Sequence, residues 1–270
     1  MLRLFRKATA ILRTIKTKAV IHINENSTPL ATRLKEQEII YSEVELPNDR
    51  LAIRQRLDAC LQAVSLPAYN EDCGMYSEHL MLFAAIAISS RYNPTNILEI
   101  GTYDGKTACI LSKLFPQAII TTIDLKDDDP IFASSYERGE EKARQSFIKS
   151  RNSTLSKGDK INFVQGNSLE LSRIESSQYD LIWVDGAHGY PHACCDIANS
   201  IRLLSSQGIL MCDDVWTKLR VSDSIYSSIA SWETLQAYDS AGITLTKLLR
   251  KRLGSKHLGE EKYVSFSILK

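Results

Sequence analysis

The sequence lacks the features of membrane-spanning, disulfide-rich and disordered chains. Its longest strongly apolar stretch, residues 80–89, is too short to cross the roughly 30 Å of a bilayer core, so we expect no transmembrane helix. The six cysteines include no C-x-x-C pair and follow no secretory signal, which favours reduced thiols in a cytoplasmic protein and disfavours a zinc site. With 44% hydrophobic and 24% charged residues among 270, the composition is that of a globular protein with a substantial core.

Acidic residues are absent from the first twenty positions, where positive charge is concentrated. The net charge of the chain is +1, yet residues 1–20 contain six lysines and arginines. Apolar residues recur there at helical spacing, which predicts a basic amphipathic helix. Three interpretations stay open: a surface helix packed on its own domain or on a second copy in a homo-oligomer, a peripheral membrane contact, or an organelle-targeting presequence. We expect no nucleic-acid partner.

After residues 1–47, which we interpret as this helix and a linker, the sequence predicts one domain over residues 48–270. Short apolar runs alternate there with helical segments. The runs, which predict strands, are residues 96–100, 119–124, 161–164, 179–184 and 208–212. Two further runs, 243–248 and 263–269, predict late strands at a sheet edge. The alternation predicts an α/β fold: a doubly wound, mostly parallel, seven-stranded Rossmann-like sheet with an antiparallel C-terminal edge and an N-terminal helical extension.

A glycine-containing turn follows the first predicted strand, in the string Glu99-Ile-Gly101-Thr-Tyr103-Asp-Gly105-Lys-Thr107. Glycine exposes bare backbone, which a ligand can approach closely. The spacing of the two glycines is G-x-x-x-G, whereas dinucleotide folds use G-x-G-x-x-G, so a pyrophosphate ligand is disfavoured. A tight turn without any ligand is the alternative.

Polar residues after the next two strands complete a candidate nucleoside pocket. Asp124 ends the second strand, where a carboxylate can accept hydrogen bonds from both hydroxyls of a ribose. Asn167 and Ser168 follow the third strand, at the height expected for an adenine edge. Helix capping is the alternative for these residues, above all for Ser168.

Three acids and a histidine follow the fourth and fifth strands, in the strings Asp185-Gly-Ala-His188 and Asp213-Asp214. Carboxylates at the ends of adjacent strands repel one another unless a cation compensates them. Oxygen-only ligands suit a hard divalent cation such as Mg²⁺. The alternatives are capping and loop hydrogen bonds without a metal for the acids, and a structural role for His188.

Residues 75–215 resemble the class I S-adenosylmethionine (SAM)-dependent methyltransferases, and the string from Glu99 to Gly105 is the best-matched part. The resemblance implies that Gly101 approaches the methionine part of SAM and that Asp124 binds its ribose. The cofactor-binding residues that it implies are Glu99, Gly101, Tyr103, Gly105, Thr107, Asp124, Asn167 and Ser168.

The acids and the histidine look like those of the metal-dependent sugar O-methyltransferases that act on macrolide and aminocoumarin glycosides. The resemblance implies that Asp185, Asp213 and Asp214 hold Mg²⁺ and that His188 is the catalytic base. Catechol-type relatives have a lysine in place of His188 and an asparagine in place of Asp214, so the sequence is nearer the sugar-modifying branch.

The predicted function is methyl transfer from SAM to a sugar hydroxyl of a glycan or glycosylated metabolite, with a divalent cation. Two alternatives stay open. One is a metal-independent methyltransferase that acts on a protein or another small molecule. The other is a noncatalytic nucleoside-binding module.

Overall fold

The computed structural model describes residues 30–70, 78–136, 138–174, 178–219, 229–251 and 261–270. The predicted basic helix over residues 1–20 lies outside these ranges. Within them, no helix combines the length and the apolar character needed to span a membrane.

A seven-stranded sheet forms the centre of the fold. Its strands are β1 Asn96–Ile100, β2 Ile119–Asp124, β3 Ile161–Gln165, β4 Tyr179–Val184, β5 Leu204–Trp216, β6 Thr244–Arg250 and β7 Lys262–Leu269. They lie in the order β3-β2-β1-β4-β5-β7-β6. The first five are parallel, and β7 is antiparallel to both β5 and β6. The predicted sheet and its antiparallel edge are confirmed.

Helices cover both faces of the sheet. Those in the described ranges are α1 Leu30–Glu43, α2 Arg50–Ala63, α3 Glu78–Ala87, α4 Lys106–Leu114, α5 Pro130–Ser134, α6 Glu141–Leu155, α7 Leu171–Ile174, α8 His192–Leu203 and α9 Ala230–Ser240. A 3₁₀ turn, Ser168–Glu170, precedes α7. Helix α2 begins where Asp49 accepts a hydrogen bond from the Ala52 N–H at 3.0 Å. Helix α3 is apolar on all sides and is buried from Leu80 to Ile86, as expected of a core helix.

The core is divided between the two faces of the sheet because successive strand residues point to opposite sides. In β1, Ile97 packs in the core on the side of α2, α3 and α4, whereas Leu98 and Ile100 belong to the core on the other side, with Ile197 of α8. A parallel sheet covered on both faces exposes little more than its strand ends. Ligand chemistry is therefore confined to the loops that follow the strands.

Candidate active site

The carboxyl ends of β1 and β4 mark the point at which the strand order reverses, which is the usual ligand position in a doubly wound sheet. A cavity of about 290 Å³ opens there. The predicted site residues that line it are Gly101, Tyr103, Asp124, Asn167, Ser168 and Asp185. The structure therefore brings together at one cavity the glycine turn, Asp124, which we expect to bind a ribose, and Asp185, one of the three predicted metal ligands.

Gly101 lies where the backbones after β1 and β4 approach most closely. The Gly101 N–H donates to the Ile123 carbonyl at 2.9 Å, and the Asp185 N–H donates to the Ile100 carbonyl at 2.8 Å. Gly101 has φ +104°, and a Cβ added there would lie 2.3 Å from the Asp185 carbonyl oxygen. Both the backbone conformation and the space therefore require glycine at this position.

Asp124 holds the glycine turn in place. Its Oδ2 accepts the Tyr103 N–H and its Oδ1 accepts the Leu125 N–H, each at 2.8 Å. At the far side of the cavity, Asn167 caps the 3₁₀ turn by accepting the Leu169 N–H at 3.0 Å. The capping alternative thus holds for Asn167, and the same residue also lines the cavity.

Three predicted cofactor-binding residues do not line the cavity. Gly105 has φ +77° at the start of α4, and a Cβ there would lie 2.8 Å from the side chain of Leu155. A glycine is therefore needed at position 105 by the left-handed turn and by the packing of α6 on α4. Thr107 lies in the first turn of α4, and Glu99 is buried within β1.

Glu99 carries a buried carboxyl group that is not compensated by a cation in the described part of the chain. Its Oε2 accepts the Thr122 hydroxyl at 2.5 Å, and its Oε1 has no hydrogen-bond partner there. Burial raises the pKa of Glu99 to about 8, although the hydrogen bond from Thr122 opposes the rise. The group is therefore protonated at neutral pH in the folded protein.

We expect Glu99→Gln to remove a pH dependence of stability. Because the pKa of Glu99 is raised on folding, the folded chain binds a proton that the unfolded chain releases between about pH 4.3 and pH 8. The contribution of Glu99 to the free energy of unfolding therefore falls as the pH rises through that window, by at most about 1.4 kcal/mol per pH unit. Urea unfolding at pH 5, 6, 7 and 8 should show a shallower decline for the variant. The exposed Glu140→Gln is the control; equal pH slopes for Glu99→Gln and wild type would contradict the expectation.

Arg138 and Asp196 also line the cavity and were not predicted. Arg138 is 5% exposed, and its guanidinium carbon lies 3.9 Å from the ring centroid of Phe132. Asp196, on α8, is buried, and its Oδ1 has no hydrogen-bond partner among the described residues. Burial raises the pKa of Asp196 to about 6. No sequence motif marks either residue, since one lies in a loop between helices and the other within a helix.

The predicted metal ligands Asp213 and Asp214 lie in a bulge of β5. The register between β5 and β7 shifts between Cys212 and Val215, and Asp214 has φ +55°. A bulge changes the direction in which side chains leave the strand. Here two lysines meet the two acids, and we call these four residues the carboxylate–lysine cluster: Asp213, Asp214, Lys251 and Lys262.

Both lysines bind the acids directly. Lys251 Nζ donates to Asp213 Oδ1 at 2.7 Å, to Asp213 Oδ2 at 2.9 Å and to Asp214 Oδ1 at 2.6 Å. Lys262 Nζ donates to Asp214 Oδ2. Burial alone would raise the pKa of Asp214, but Lys251, His188 and Lys262 together hold it well below its usual value.

These contacts do not fit the predicted Mg²⁺ site. A divalent cation needs the carboxylate oxygens as its own ligands at about 2.0 to 2.2 Å, but the ammonium groups already bind all four oxygens of Asp213 and Asp214. In the described residues, no three histidine, cysteine, aspartate or glutamate side chains are grouped so that they could hold a metal ion.

His188 lies beside the acids, as the sequence spacing indicated. Its Nε2 is 3.6 Å from Asp185 Oδ1 and 3.8 Å from Asp214 Oδ2. Burial lowers the pKa of His188 below 6.5 although both Asp214 and Asp213 oppose the change, so the imidazole is neutral at pH 7. A neutral imidazole beside two carboxyl groups can accept a proton and be stabilised once charged. The predicted position of the base is thus compatible with base chemistry.

A second histidine, His79 of α3, also approaches the cluster. Its Nδ1 is 4.0 Å from Asp213 Oδ1, and its ring centroid is 4.9 Å from that of Trp183. Burial lowers the pKa of His79 to about 4. His79 was not predicted, because a single histidine at the start of an apolar helix gives no signal in the sequence.

Comparison with known proteins finds one family match: residues 98–215, somewhat less than half of the chain, match the model of a family described as a methyltransferase domain. None of the curated proteins compared with it matches. Among solved structures, an O-methyltransferase from Bacillus cereus in complex with SAH is 17% identical, with 86% of this chain and 96% of that chain covered and a TM-score of 0.51. Cofactor-bound Rv0187 from MTB is 19% identical over 80% of this chain and 89% of that chain, also with a TM-score of 0.51. At these identities the likeness shows a shared fold.

Proposed function

We propose that this methyltransferase uses SAM and transfers the methyl group to a hydroxyl of a glycan or glycosylated metabolite. The observation that carries the proposal is the position of Asp185, which lines the cavity and has its Oδ1 3.6 Å from His188 Nε2. SAM bound in the cavity and a substrate hydroxyl beside His188 would therefore lie on either side of Asp185, close enough for methyl transfer.

The residues present fit SAM. Gly101 offers bare backbone at the cavity wall, and Asp124 offers carboxylate oxygens to a ribose. Glu99 Oε1, two positions before Gly101, has no partner among the described residues, and the ammonium of the methionine part would lower the pKa of this carboxyl group and pair with it once ionised. Asn167 and Ser168 would frame the adenine. When bound, SAM supplies a methyl group on a positively charged sulfur.

The chemical problem for this chain is to make an alcohol nucleophilic. An alcohol has a pKa far above 7, so almost none is ionised at neutral pH. His188 Nε2 would take the hydroxyl proton as the oxygen attacks, and the breaking carbon–sulfur bond leaves its electron pair on sulfur. General-base catalysis of this kind contributes about 10²- to 10⁴-fold. The carboxylate of Asp214 would stabilise the imidazolium that forms, since its Oδ2 lies 3.8 Å from His188 Nε2.

Two exposed tyrosines support a sugar acceptor. Tyr103 and Tyr136 line the cavity, are 46% and 71% exposed, and have ring centroids 5.0 Å apart. Exposed aromatic faces are surfaces on which a sugar ring can stack. An assay of SAH release with a panel of glycosides and catechols tests this choice. Turnover of catechols alone would contradict a sugar acceptor.

We expect Asp124→Asn to weaken SAM binding by about 10- to 100-fold, because hydrogen bonds to a charged group contribute about 1.5 to 3 kcal/mol. Isothermal titration calorimetry with SAM measures the change in Kd. Asp128→Asn, an exposed acid four positions later, is the matched control and should bind like wild type. If the wild-type chain itself fails to bind SAM, the proposed cofactor is wrong.

A further inference from the structure

The lysines of the carboxylate–lysine cluster come from the antiparallel edge of the sheet. Lys262 begins β7, and Lys251 directly follows β6, where its N–H donates to the Lys262 carbonyl at 2.8 Å. Their side chains are only 9% and 13% exposed. The backbone pairing of β6 and β7 thus places two half-buried ammonium groups near the end of β5, beside His188.

Lys251 is fully engaged within the cluster. An ammonium group has three donors, and Lys251 Nζ has three carboxylate oxygens at 2.6 to 2.9 Å. It therefore has no donor left for a substrate. Its contribution is a fixed positive charge that keeps Asp213 and Asp214 side by side despite their mutual repulsion.

Lys262 is engaged through a single oxygen. Its Nζ donates to Asp214 Oδ2 and lies 5.3 Å from the ring centroid of Trp216, and the described residues offer it no second hydrogen-bond acceptor. The same Asp214 Oδ2 is 3.8 Å from His188 Nε2. This ammonium, whose other donors have no acceptor among the described residues, and the proposed base therefore flank one carboxylate oxygen.

A divalent cation would compete with this arrangement. The four oxygens of Asp213 and Asp214 all accept from ammonium groups, so an ion bound to them would meet two positive charges at close range in a half-buried site. Like charges a few ångströms apart in such surroundings repel each other strongly. Lysines and a metal ion are therefore alternatives at this position.

We propose that Lys251 and Lys262 supply the positive charge that a divalent cation supplies in metal-dependent methyltransferases, and that Lys262 donates a hydrogen bond to the acceptor oxygen while His188 removes its proton. The identity of that acceptor rests on the proposed function. The proton moves from oxygen to His188 Nε2, and the negative charge left on oxygen is stabilised by the Lys262 ammonium. No metal ion enters the step.

Manganese binding tests the exchange of lysines for a metal ion without any assay of activity. The double variant Lys251→Met/Lys262→Met leaves the two acids uncompensated, and we expect it to bind Mn²⁺ at least tenfold more tightly than wild type in an electron paramagnetic resonance titration. Lys113→Met is the matched control, because Lys113 Nζ also binds a carboxylate, Asp159, at 2.6 Å but only that one. A folded double variant with no gain, or wild type that binds Mn²⁺ equally well, would overturn the proposal.

Turnover of the wild-type chain provides the second test and needs no variant to fold. We expect activity to be unchanged by EDTA and not raised by added Mg²⁺. Lys262→Met should lower kcat by about 10²-fold, the usual loss for one donor to a developing oxyanion, with an unchanged Kd for SAM, and Lys262→Arg should restore part of it. Loss of turnover in EDTA that Mg²⁺ restores would overturn the proposal. A failure to bind SAM would instead contradict the proposed function, and the Mn²⁺ result would still stand.

Discussion

Replacing His188 by alanine should lower kcat by about 10²- to 10⁴-fold while the Kd for SAM changes by less than about twofold. The imidazole does not line the cavity, but its Nε2 is 3.6 Å from Asp185, which does. The variant therefore keeps the cofactor pocket and loses the proton acceptor beside it. Steady-state SAH release and calorimetry with SAM measure the two quantities separately.

His192→Ala is the contrasting variant for this prediction. His192 lies four residues after His188 and lines the cavity, so its replacement should change the Kd for SAM more than kcat. Added imidazole should recover part of the activity of His188→Ala, since a small base can enter the space left by the side chain. If kcat of His188→Ala equals that of wild type, another group removes the proton.

The central strands could be predicted because burial on both faces gives β1 and β4 an almost continuous apolar run. The bounds of β1, β2 and β4 agree with the predicted ones. β5 is the exception: it extends from Leu204 to Trp216, whereas the prediction covered 208–212. Its start pairs with β4 through Leu204 and Tyr179, the polar residues 205–207 follow within a register shift, and its end pairs with β7 beyond the bulge. These parts are held by backbone pairing and not by an apolar pattern, so periodicity could not reveal them.

Between the second and third predicted strands the sequence favours one helix, over residues 137–150, whereas the structure has two. Helix α6 begins at Glu141 and continues to Leu155, and a separate short helix, α5, begins at Pro130. Asp129 starts α5 by accepting the Ile131 N–H at 2.8 Å. Asp127, in the same acid run, binds the buried Arg151 of α6 at 2.8 Å. The acid run taken alone indicates a solvated turn. In the structure it is fixed by the ion pair of Asp127 with Arg151, which lies 24 positions later.

The site could be predicted as far as it depends on strand ends. Gly101, Asp124 and Asp185 each follow an apolar run directly, and a doubly wound sheet brings such positions to one edge. The partners of Asp213 and Asp214 could not be predicted in the same way. Lys251 and Lys262 lie 38 and 48 positions away from the acids that they bind, and their place depends on the order and register of two edge strands. The excess negative charge was evident from the sequence, but the choice between a metal ion and lysines to balance it was not.

Replacing Gly101 by alanine should destabilise the chain more than the same replacement at the other glycines whose surroundings the structure describes. The added Cβ would lie 2.3 Å from the oxygen and 2.6 Å from the carbon of the Asp185 carbonyl, and both are backbone atoms that cannot rotate away. The ends of β1 and β4 would have to separate, which would also displace the cavity wall. We expect the free energy of unfolding to fall by about 3 kcal/mol or more, and SAM affinity to fall at least about 10²-fold.

Alanine variants at two other glycines distinguish the effect of the steric overlap from that of the left-handed backbone conformation. Gly242 has φ +73° but nothing within 4 Å of an added Cβ, so Gly242→Ala should show the strain of a left-handed conformation alone, about 1 kcal/mol. Gly139 also has an open Cβ position, without a left-handed φ, and Gly139→Ala should be close to neutral. Urea unfolding and SAM calorimetry of all three variants give the comparison. If Gly101→Ala loses no more stability than Gly242→Ala, the close approach of the two strand ends does not determine the shape of the site, since the backbone can then accommodate a methyl group between them.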